Sequence, residues 1–391
     1  MVLDPNFILK VILTLVCAAI LSLAATPLVK HLAHSVGAMD IPKDDRRMHK
    51  APIPRMGGLA IFLGFMISVL IFVDIDVKVR GILLGAVVIL ILGVLDDILA
   101  LHAIPKFLVQ IVAAVIVVCH GCYIDQIFGW VLPDWLSYGV SVLWIVAMTN
   151  AINFIDGLDG LAAGVSAISA GAMLVVALML VPQGNSAVSA LLLAAVVGGC
   201  IGFIPYNFNP AKIFMGDTGS NFLGFILASI SIFGLFKTYA FISFAVPFLV
   251  LGLPLFDICF AVIRRILRGQ SPMHADRGHF HHRLIDMGFS QKQAVAICYL
   301  LTAILGLVAV TLTGRRFEQV LIIAGALALV IAIGFVLVFN RHHHKMVEAV
   351  ALKNSDGEVA PAEQAVSEKT DTDTASEEAT QIQQEDEDEK A

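Results

Sequence analysis

The stretch VRGILLGAVVILILGVLDD, residues 79–97, is an apolar run that ends in two adjacent carboxylates, Asp96 and Asp97. A helix needs roughly 20 apolar residues to cross a bilayer, so residues 79–95 predict a short transmembrane span whose Arg80 reaches outward to the interface. An ionised carboxylate close to hydrocarbon is costly, and such groups mark functional sites by default. The stretch therefore predicts a membrane protein with acidic chemistry at the end of a span.

The composition of the whole chain supports a membrane protein. Hydrophobic residues make up 58% and charged residues 14%, and the mean hydropathy is +0.88, whereas about a quarter of the residues of a soluble globule are charged. We therefore predict an all-α integral membrane protein, a polytopic bundle of about 11 transmembrane helices with cytoplasmic catalytic loops. The predicted spans lie near residues 7–28, 56–73, 79–95, 107–123, 136–152, 160–182, 187–205, 220–236, 240–262, 293–313 and 317–339.

Basic residues predict the orientation of this bundle. The loops that follow odd-numbered spans hold 14 Lys and Arg residues, and the opposite side holds 6. The positive-inside rule then places the odd-span loops in the cytoplasm and the N-terminus outside. The sequence also places five aspartates after spans three, five and seven, so we expect one acidic centre on the cytoplasmic face: Asp96, Asp97, Asp156, Asp159 and Asp217.

The C-terminal segment has a different character. Residues 353–391 hold 13 acidic and 3 basic residues and have almost nothing to bury, which predicts disorder. We divide the chain into a polytopic membrane domain, residues 1–345, and an acidic, disordered cytoplasmic tail, residues 346–391. A plain solvated tail and a partner-binding tail both remain open.

The adjacent carboxylates of Asp96 and Asp97 point about 100° apart on a helix. One could contact a metal or substrate while the other orients a neighbour. Adjacent carboxylates also raise one another's pKa, which suits one of them to general-base work. A solvated pair at a membrane boundary is the alternative.

The stretch NAINFIDGLDGLAAG, residues 150–164, places polar residues every three positions. If the segment is helical, Asn150, Asn153, Asp156 and Asp159 line one stripe between two spans. A hydrogen-bond network between helices is the structural alternative to a binding role.

The stretch IPYNFNPAKIFMGDTGSNFLG, residues 204–224, packs polar groups between two apolar runs. A helix that starts near Asp217 would favour an anionic group at its N-terminus. A magnesium ion held by Asp217 could then bridge to phosphate oxygens. A plain turn would explain the glycines but not the polar groups around them.

Two basic loops complete the set of motifs. Residues 263–292 interleave histidines with Arg277 and Arg283, a mixture better suited to phosphate than to zinc. Asp257, inside span nine, is predicted to pair with Arg264 in a structural role. The first cytoplasmic loop adds Lys50 and Arg55, and both loops could also be merely solvated.

Taken together, these residues resemble the polyprenyl-phosphate N-acetylhexosamine-1-phosphate transferases, the family of MraY, WecA and TagO. The resemblance covers about residues 30–290 and rests on five motifs in order: RMGG, LDD, NxxNxxDGLDG, NFNPAKIFMGDTGS and HADRGHFHHRL. The last motif has the form of the GlcNAc branch and lacks the PxHHHxE expected of the MurNAc-pentapeptide enzymes. The extra C-terminal span also fits the GlcNAc branch.

The resemblance implies a reaction and a site. It implies transfer of GlcNAc-1-phosphate from UDP-GlcNAc to undecaprenyl phosphate with release of UMP, the first membrane step of an envelope polysaccharide such as teichoic acid or O-antigen. It implies Mg²⁺, with Mn²⁺ as an alternative, held by Asp217 and Asp156, and a catalytic role for Asp96, supported by Asp97. The substrate contacts it implies are Lys50, Arg55, Lys106, Asn153, Asp159, Asn207, Phe214, His279, His281, His282 and Arg283.

The expected setting is the inner membrane of a bacterium, with membrane lipids around the protein, no nucleic-acid partner, and a homodimer left open. The UDP-MurNAc-pentapeptide phosphotransferase of peptidoglycan synthesis is the alternative within the family. An ion-coupled secondary transporter is the alternative from another class. It predicts carboxylates near mid-span and two related halves of the chain, whereas these carboxylates lie at span ends and no internal repeat is evident.

Overall fold

The computed structural model describes residues 4–42, 51–127, 130–181, 185–235, 247–267 and 280–314. This part of the chain is mainly helical. The helices are α1 (Pro5–Ser35), α2 (Gly58–Phe72), α3 (Val77–Leu99), α4 (Ala103–Cys119), α5 (Asp134–Ile155), α6 (Leu161–Met179), α7 (Ser186–Asn207), α8 (Gly216–Ile230), α9 (Gly252–Leu267), α10 (Phe280–Asp286) and α11 (Gln291–Thr313). A π-helical turn, Ser231–Leu235, continues α8.

Two short antiparallel strand pairs connect helices. Strand β1 (Met39–Asp40) pairs with β2 (Ile53–Pro54) between α1 and α2. Strand β3 (Gln126–Ile127) pairs with β4 (Trp130–Val131) between α4 and α5. The first pair brings the two ends of the first predicted cytoplasmic loop together, and the middle of that loop lies outside the described residues.

Side-chain caps fix where several helices begin. The Asp4 carboxylate accepts the Asn6 N–H (3.0 Å) at the start of α1, and Asp76 accepts the Val79 N–H (2.7 Å) at the start of α3. Ser290 and Gln293 form a capping box at the start of α11. Each cap satisfies backbone N–H groups that the first helical turn leaves without a partner.

Six of the described helices, namely α1, α3, α5, α6, α7 and α11, are long and apolar enough to cross a membrane. Two shorter apolar helices, α2 and α4, lie where spans two and four were predicted. The prediction of a helical membrane protein is confirmed, but the count of about 11 spans is not. Predicted span eleven, residues 317–339, and the tail, residues 346–391, lie outside the described residues, as does the start of span nine.

Two spans differ from their predicted lengths. The stretch predicted as a short span at 79–95 is the 23-residue helix α3, which continues through Asp96 and Asp97. Predicted span five, 136–152, is the 22-residue helix α5. At its polar end, the Thr149 hydroxyl donates to the Ile145 carbonyl (2.7 Å) and the Asn150 amide donates to the Val146 carbonyl (2.8 Å). Bonds of this kind satisfy polar groups inside the helix itself.

Helix α8 lies at the centre of the described bundle. Every residue from Thr218 to Ile230 is buried, and the helix packs mainly against α2, α3 and α5. In contrast, α1 packs on α7 and α2 and leaves a broad apolar face exposed, as expected of a helix that contacts lipid. The amino terminus of α8 therefore lies among the ends of other helices, and it is where the polar residues gather.

Glycines allow the backbones around α8 to approach closely. A Cβ atom on Gly58 would overlap the backbone of Gly219, and one on Gly93 of α3 would overlap the backbone of Thr218. A Cβ on Gly224 would meet the backbone of α5 at Met148. Three neighbouring elements thus contact α8 through positions where any side chain beyond glycine lacks room.

We predict that Gly58→Ala lowers the thermal unfolding midpoint of the detergent-purified protein. The new methyl group must displace the Gly219 backbone, and overpacking of this kind costs about 1–3 kcal/mol. Gly139→Ala is the matched control, because nothing lies within 4 Å of a Cβ at that position of α5. Equal midpoints for the two variants would show that α2 and α8 are not packed as described.

Candidate active site

Asp97 of α3 caps the amino terminus of α8. Its Oδ1 accepts the Asp217 backbone N–H (2.9 Å), and its Oδ2 accepts the Thr218 N–H (3.0 Å) and the Thr218 hydroxyl (2.6 Å). Helix α8 has no cap from its own N-cap residue, so a carboxylate from another helix satisfies its first N–H groups. Gly216 has φ +71°, and a Cβ there would meet the Asp97 carboxylate, which explains glycine at this position.

Lys106 joins two of the predicted site carboxylates. Its Nζ lies 2.6 Å from Asp96 Oδ2 and 2.8 Å from Asp217 Oδ2. The other oxygen of Asp96 accepts the Leu101 N–H (2.8 Å). Asp96 is buried, whereas the side chains of Lys106 and Asp217 keep 25% and 29% of their surface exposed. A ligand could therefore reach Asp217 and Lys106 directly and Asp96 only through them.

Asn153 of α5 contacts the first turn of α8. Its amide donates to the Ser220 hydroxyl (2.9 Å), which in turn donates to the Gly216 carbonyl (3.0 Å). Because Asn153 is only partly buried, its side chain borders the exposed part of the Asp217 site. The structure thus brings Asn153 together with the aspartates, as the sequence predicts.

A chain of three side-chain amides lies behind Asp217, and its central residue, Gln110, was not predicted from the sequence. Asn150 donates to Gln110 (2.6 Å), Gln110 donates to Asn221 (3.2 Å), and Asn221 donates to the Asp217 carbonyl (2.9 Å). Gln110 is 3% exposed. The available signal was a single amide inside the otherwise apolar run 107–123, since a buried polar group needs hydrogen-bonding partners.

Asp156 lies just beyond the end of α5, which ends at Ile155. Burial, together with the Asp217 and Asp97 carboxylates, raises the pKa of Asp156 to about 8, and the Arg55 guanidinium opposes this rise. Arg55 itself forms an ion pair with Asp40 on β1 (3.0 Å). The charge around Asp156 is thus mainly negative, and an added cation would lower the energy of its ionised form.

The predicted stripe of four polar residues is wrong beyond Asn153. The helix stops before Asp156, and residues 156–160 form a turn that ends at Gly160 with φ +79°. Asp159 therefore points away from the stripe and accepts the Asn209 amide (2.9 Å) and the Ala211 N–H (3.0 Å). The two glycines of this turn, Gly157 and Gly160, interrupt the helical repeat.

Asn207 connects two backbone segments. Its side chain accepts the Gly160 N–H (3.1 Å) and donates to the Ile213 carbonyl (3.0 Å), and the residue is 3% exposed. These contacts use both ends of the amide, so Asn207 supports the turns rather than facing a ligand. Phe214 is partly buried, and its backbone bonds to Pro54 and Gly57.

The histidine-rich motif is only partly described. His279 and Lys50 lie outside the described residues. His281 is buried against the turn, because a Cβ on Gly157 would overlap its ring. His282 is partly buried beside it, and the exposed Arg283 lies 4.7 Å from the Phe260 ring centroid. Asp257 accepts the Phe280 N–H (2.8 Å) at the start of α10, and its pairing with Arg264 stays a prediction.

The acidic residues fit a metal that is shared with a substrate. Among the described residues, no three His, Cys, Asp or Glu side chains form a group that could hold a metal ion by themselves. Asp217 is partly exposed, and the surroundings of Asp156 are negative. Magnesium commonly takes one or two protein carboxylates and completes its shell with substrate phosphates and water. The donor set is consistent with that kind of site.

The fold and the site define a membrane-embedded transferase family. Residues 79–235 match glycosyl transferase family 4. A protein of Bacillus subtilis (strain 168) described as a probable undecaprenyl-phosphate N-acetylglucosaminyl 1-phosphate transferase is 41% identical over 316 residues, which are 79% of this chain and 87% of that relative. The chain therefore belongs to this family, the polyprenyl-phosphate N-acetylhexosamine-1-phosphate transferases, and to its GlcNAc-1-phosphate branch.

Two further relatives place the chain within the family. A decaprenyl-phosphate N-acetylglucosaminephosphotransferase of Mycobacterium leprae (strain TN) is 36% identical over 72% of this chain and 79% of its own length. A phospho-N-acetylmuramoyl-pentapeptide-transferase of Heliobacterium modesticaldum (strain ATCC 51547 / Ice1) is 38% identical over 49% of this chain and 63% of its own length. The Bacillus subtilis and Mycobacterium leprae relatives thus match more of the chain than the Heliobacterium modesticaldum enzyme does.

We predict that Asp97→Ala lowers the thermal unfolding midpoint and speeds amide exchange at residues 217 and 218. Removal of a helix cap costs about 0.5–2 kcal/mol, and here one change removes three hydrogen bonds. Asp76→Ala is the matched control, because it uncaps α3 at its other end. Unchanged exchange at 217 and 218 in Asp97→Ala would contradict the capping of α8 by Asp97.

Proposed function

We propose that this protein transfers GlcNAc-1-phosphate from UDP-GlcNAc to undecaprenyl phosphate and releases UMP. The observation that carries the proposal is the contact of Lys106 with both Asp96 and Asp217 at the amino terminus of α8. A partly exposed cation between carboxylates, beside a helix amino terminus, suits a diphosphate. The names of the Bacillus subtilis and Mycobacterium leprae relatives favour GlcNAc-1-phosphate as the transferred group and a polyprenyl phosphate as the acceptor.

The location at helix ends suits two substrates of different solubility. Asp96, Asp97, Asp156 and Asp217 lie near the ends of α3 and α5 and the start of α8. A polyprenyl chain stays in the membrane while its phosphate reaches the edge, where a water-soluble nucleotide sugar can meet it. The excess of basic residues in the same loops supports a cytoplasmic site in the plasma membrane of a bacterium.

The main chemical obstacle is repulsion between two phosphate anions. Lys106 can bind a phosphate oxygen and reduce that repulsion, because its side chain is partly exposed. Asp217 and Asp156 would hold Mg²⁺, or Mn²⁺ in its place, and the ion when bound would neutralise charge on the diphosphate and the leaving group. Asn153 borders Asp217 and would fix the orientation of the donor.

The reaction needs no covalent enzyme intermediate. An oxygen of the lipid phosphate attacks the sugar-bearing phosphorus, the bond from that phosphorus to the bridging oxygen breaks, and UMP leaves with that oxygen. A phosphate monoester is largely ionised near pH 7, so the nucleophile needs little help from a base. Asp96 is bonded to Lys106 and the Leu101 N–H, and these contacts favour orientation of Lys106 as its role rather than proton removal.

The MurNAc-pentapeptide reaction is the competing assignment, because the Heliobacterium relative aligns with about half of the chain. The histidine motif HADRGHFHHRL favours GlcNAc. The two reactions use different donors with the same acceptor, so one assay separates them.

We predict that the purified protein with Mg²⁺, radiolabelled UDP-GlcNAc and undecaprenyl phosphate forms labelled lipid and equimolar UMP. Chelation of divalent cations should stop the reaction, and added Mg²⁺ should restore it. Product from UDP-MurNAc-pentapeptide but none from UDP-GlcNAc would overturn the assignment to the GlcNAc reaction. Release of UMP without labelled lipid would instead indicate hydrolysis.

We predict that Asp217→Asn lowers kcat by about 100-fold or more, since loss of one electrostatic contact to a transferring group costs about that much. Asparagine keeps the size of the side chain and removes its charge. Asp134→Asn is the control, because Asp134 is exposed at the start of α5. A kcat near the wild-type value at ordinary Mg²⁺ concentration would exclude Asp217 as a ligand.

A further inference from the structure

The turn at residues 156–160 is held by a helix outside the region that matches the family profile. Helix α11 begins at Gln291, well beyond residue 235. Asn209 donates both to Asp159 (2.9 Å) and to Gln291 of α11 (2.8 Å). The turn and the helix are therefore connected through a single amide.

A second contact joins α11 to the turn directly. The Tyr299 hydroxyl of α11 donates to the Gly160 carbonyl (2.6 Å). The same carbonyl also accepts the Gly164 N–H (2.9 Å) at the start of α6, and the Gly160 N–H donates to Asn207 (3.1 Å). Both the N–H and the carbonyl of Gly160 are therefore hydrogen-bonded. The residue has a left-handed conformation (φ +79°) that glycine adopts without strain.

The sequence leaves space for the tyrosine ring. A Cβ atom on Gly164 would overlap the Tyr299 ring, and a Cβ on Gly160 would lie 3.3 Å from the hydroxyl oxygen. Glycine at position 164 of α6 costs helix stability of about 0.5–1 kcal/mol relative to alanine. The close approach of the Tyr299 ring explains why this position is glycine.

We propose that Tyr299 is a positioning residue for the transfer reaction, which sets the turn at residues 156–160 through its hydrogen bond to Gly160. The proposal rests on the function proposed above. Tyr299 contacts the turn on the side of α6 and α11, whereas Asp156 at the start of the turn lies near Asp97 and Asp217. We therefore expect Tyr299 to act on the site through Gly160. Its removal should weaken the use of the nucleotide-sugar donor.

The test is Tyr299→Phe, which removes one hydroxyl and keeps the ring. The Gly160 carbonyl retains its bond from Gly164, so we expect only a small fall in the unfolding midpoint. Loss of a hydrogen bond worth about 0.5–1.5 kcal/mol corresponds to roughly a 2–12-fold change. We expect kcat/KM for UDP-GlcNAc to fall by that factor, KM for undecaprenyl phosphate to stay constant, and amides at residues 157–161 to exchange faster. Tyr138→Phe is the control, because Tyr138 is an exposed tyrosine of α5.

A second set of variants tests the contact between Gly164 and the ring. Gly164→Ala should lower kcat/KM for UDP-GlcNAc in the wild-type background but have little effect in a Tyr299→Ala background, where the ring is gone. Gly171→Ala, seven residues further along α6, has nothing within 4 Å of its Cβ and should be neutral in both.

The outcomes separate this proposal from the function it rests on. Faster exchange with unchanged kcat/KM would show that Tyr299 holds the turn without positioning the site, and unchanged exchange would overturn the contact itself. If the wild-type protein transfers no GlcNAc-1-phosphate, the proposed function fails. The exchange measurement would then still decide whether Tyr299 sets the turn.

Discussion

The amino terminus of α8 constrains the rest of the described structure. Its first N–H groups have no partners within the helix, so another element must supply acceptors. Asp97 does so with both carboxylate oxygens. The same hydrogen bonds fix the backbone of Asp217, whose side chain reaches Lys106 and, through it, Asp96. One capping interaction therefore determines where the acidic site lies.

The different roles of Asp96 and Asp97 follow from this geometry. Adjacent residues on a helix point in different directions, so Asp97 turns towards α8 while Asp96 turns towards Lys106 of α4. The glycines at positions 58, 93 and 219 let the neighbouring backbones come close enough for these short contacts. Two ionisable groups that stay partly exposed at the site, Asp217 and Lys106, have opposite charges.

Much of this arrangement could be predicted from the sequence. The apolar runs predict the helices, and the ends of those runs place the aspartates close together, because hydropathy and side-chain charge are local properties. The ends of helices and the contacts between distant turns could not be predicted in this way. Asn207 and Asp159 look like ligand-facing groups in the motif, yet their partners, Gly160 and Asn209, lie about 50 residues away in the chain. Gln110 and Tyr299 were missed because each is a single residue in an apolar run.

We expect a nucleotide-sugar diphosphate to bind at the amino terminus of α8. The decisive measurement is a structure of the protein with UDP-GlcNAc and Mg²⁺, determined by crystallography or electron cryomicroscopy. We predict that the diphosphate lies against Asp217 and Lys106, with Asp97 still bonded to the 217 and 218 amides. A diphosphate bound away from Asp217 and Lys106, with these two side chains still paired, would contradict it.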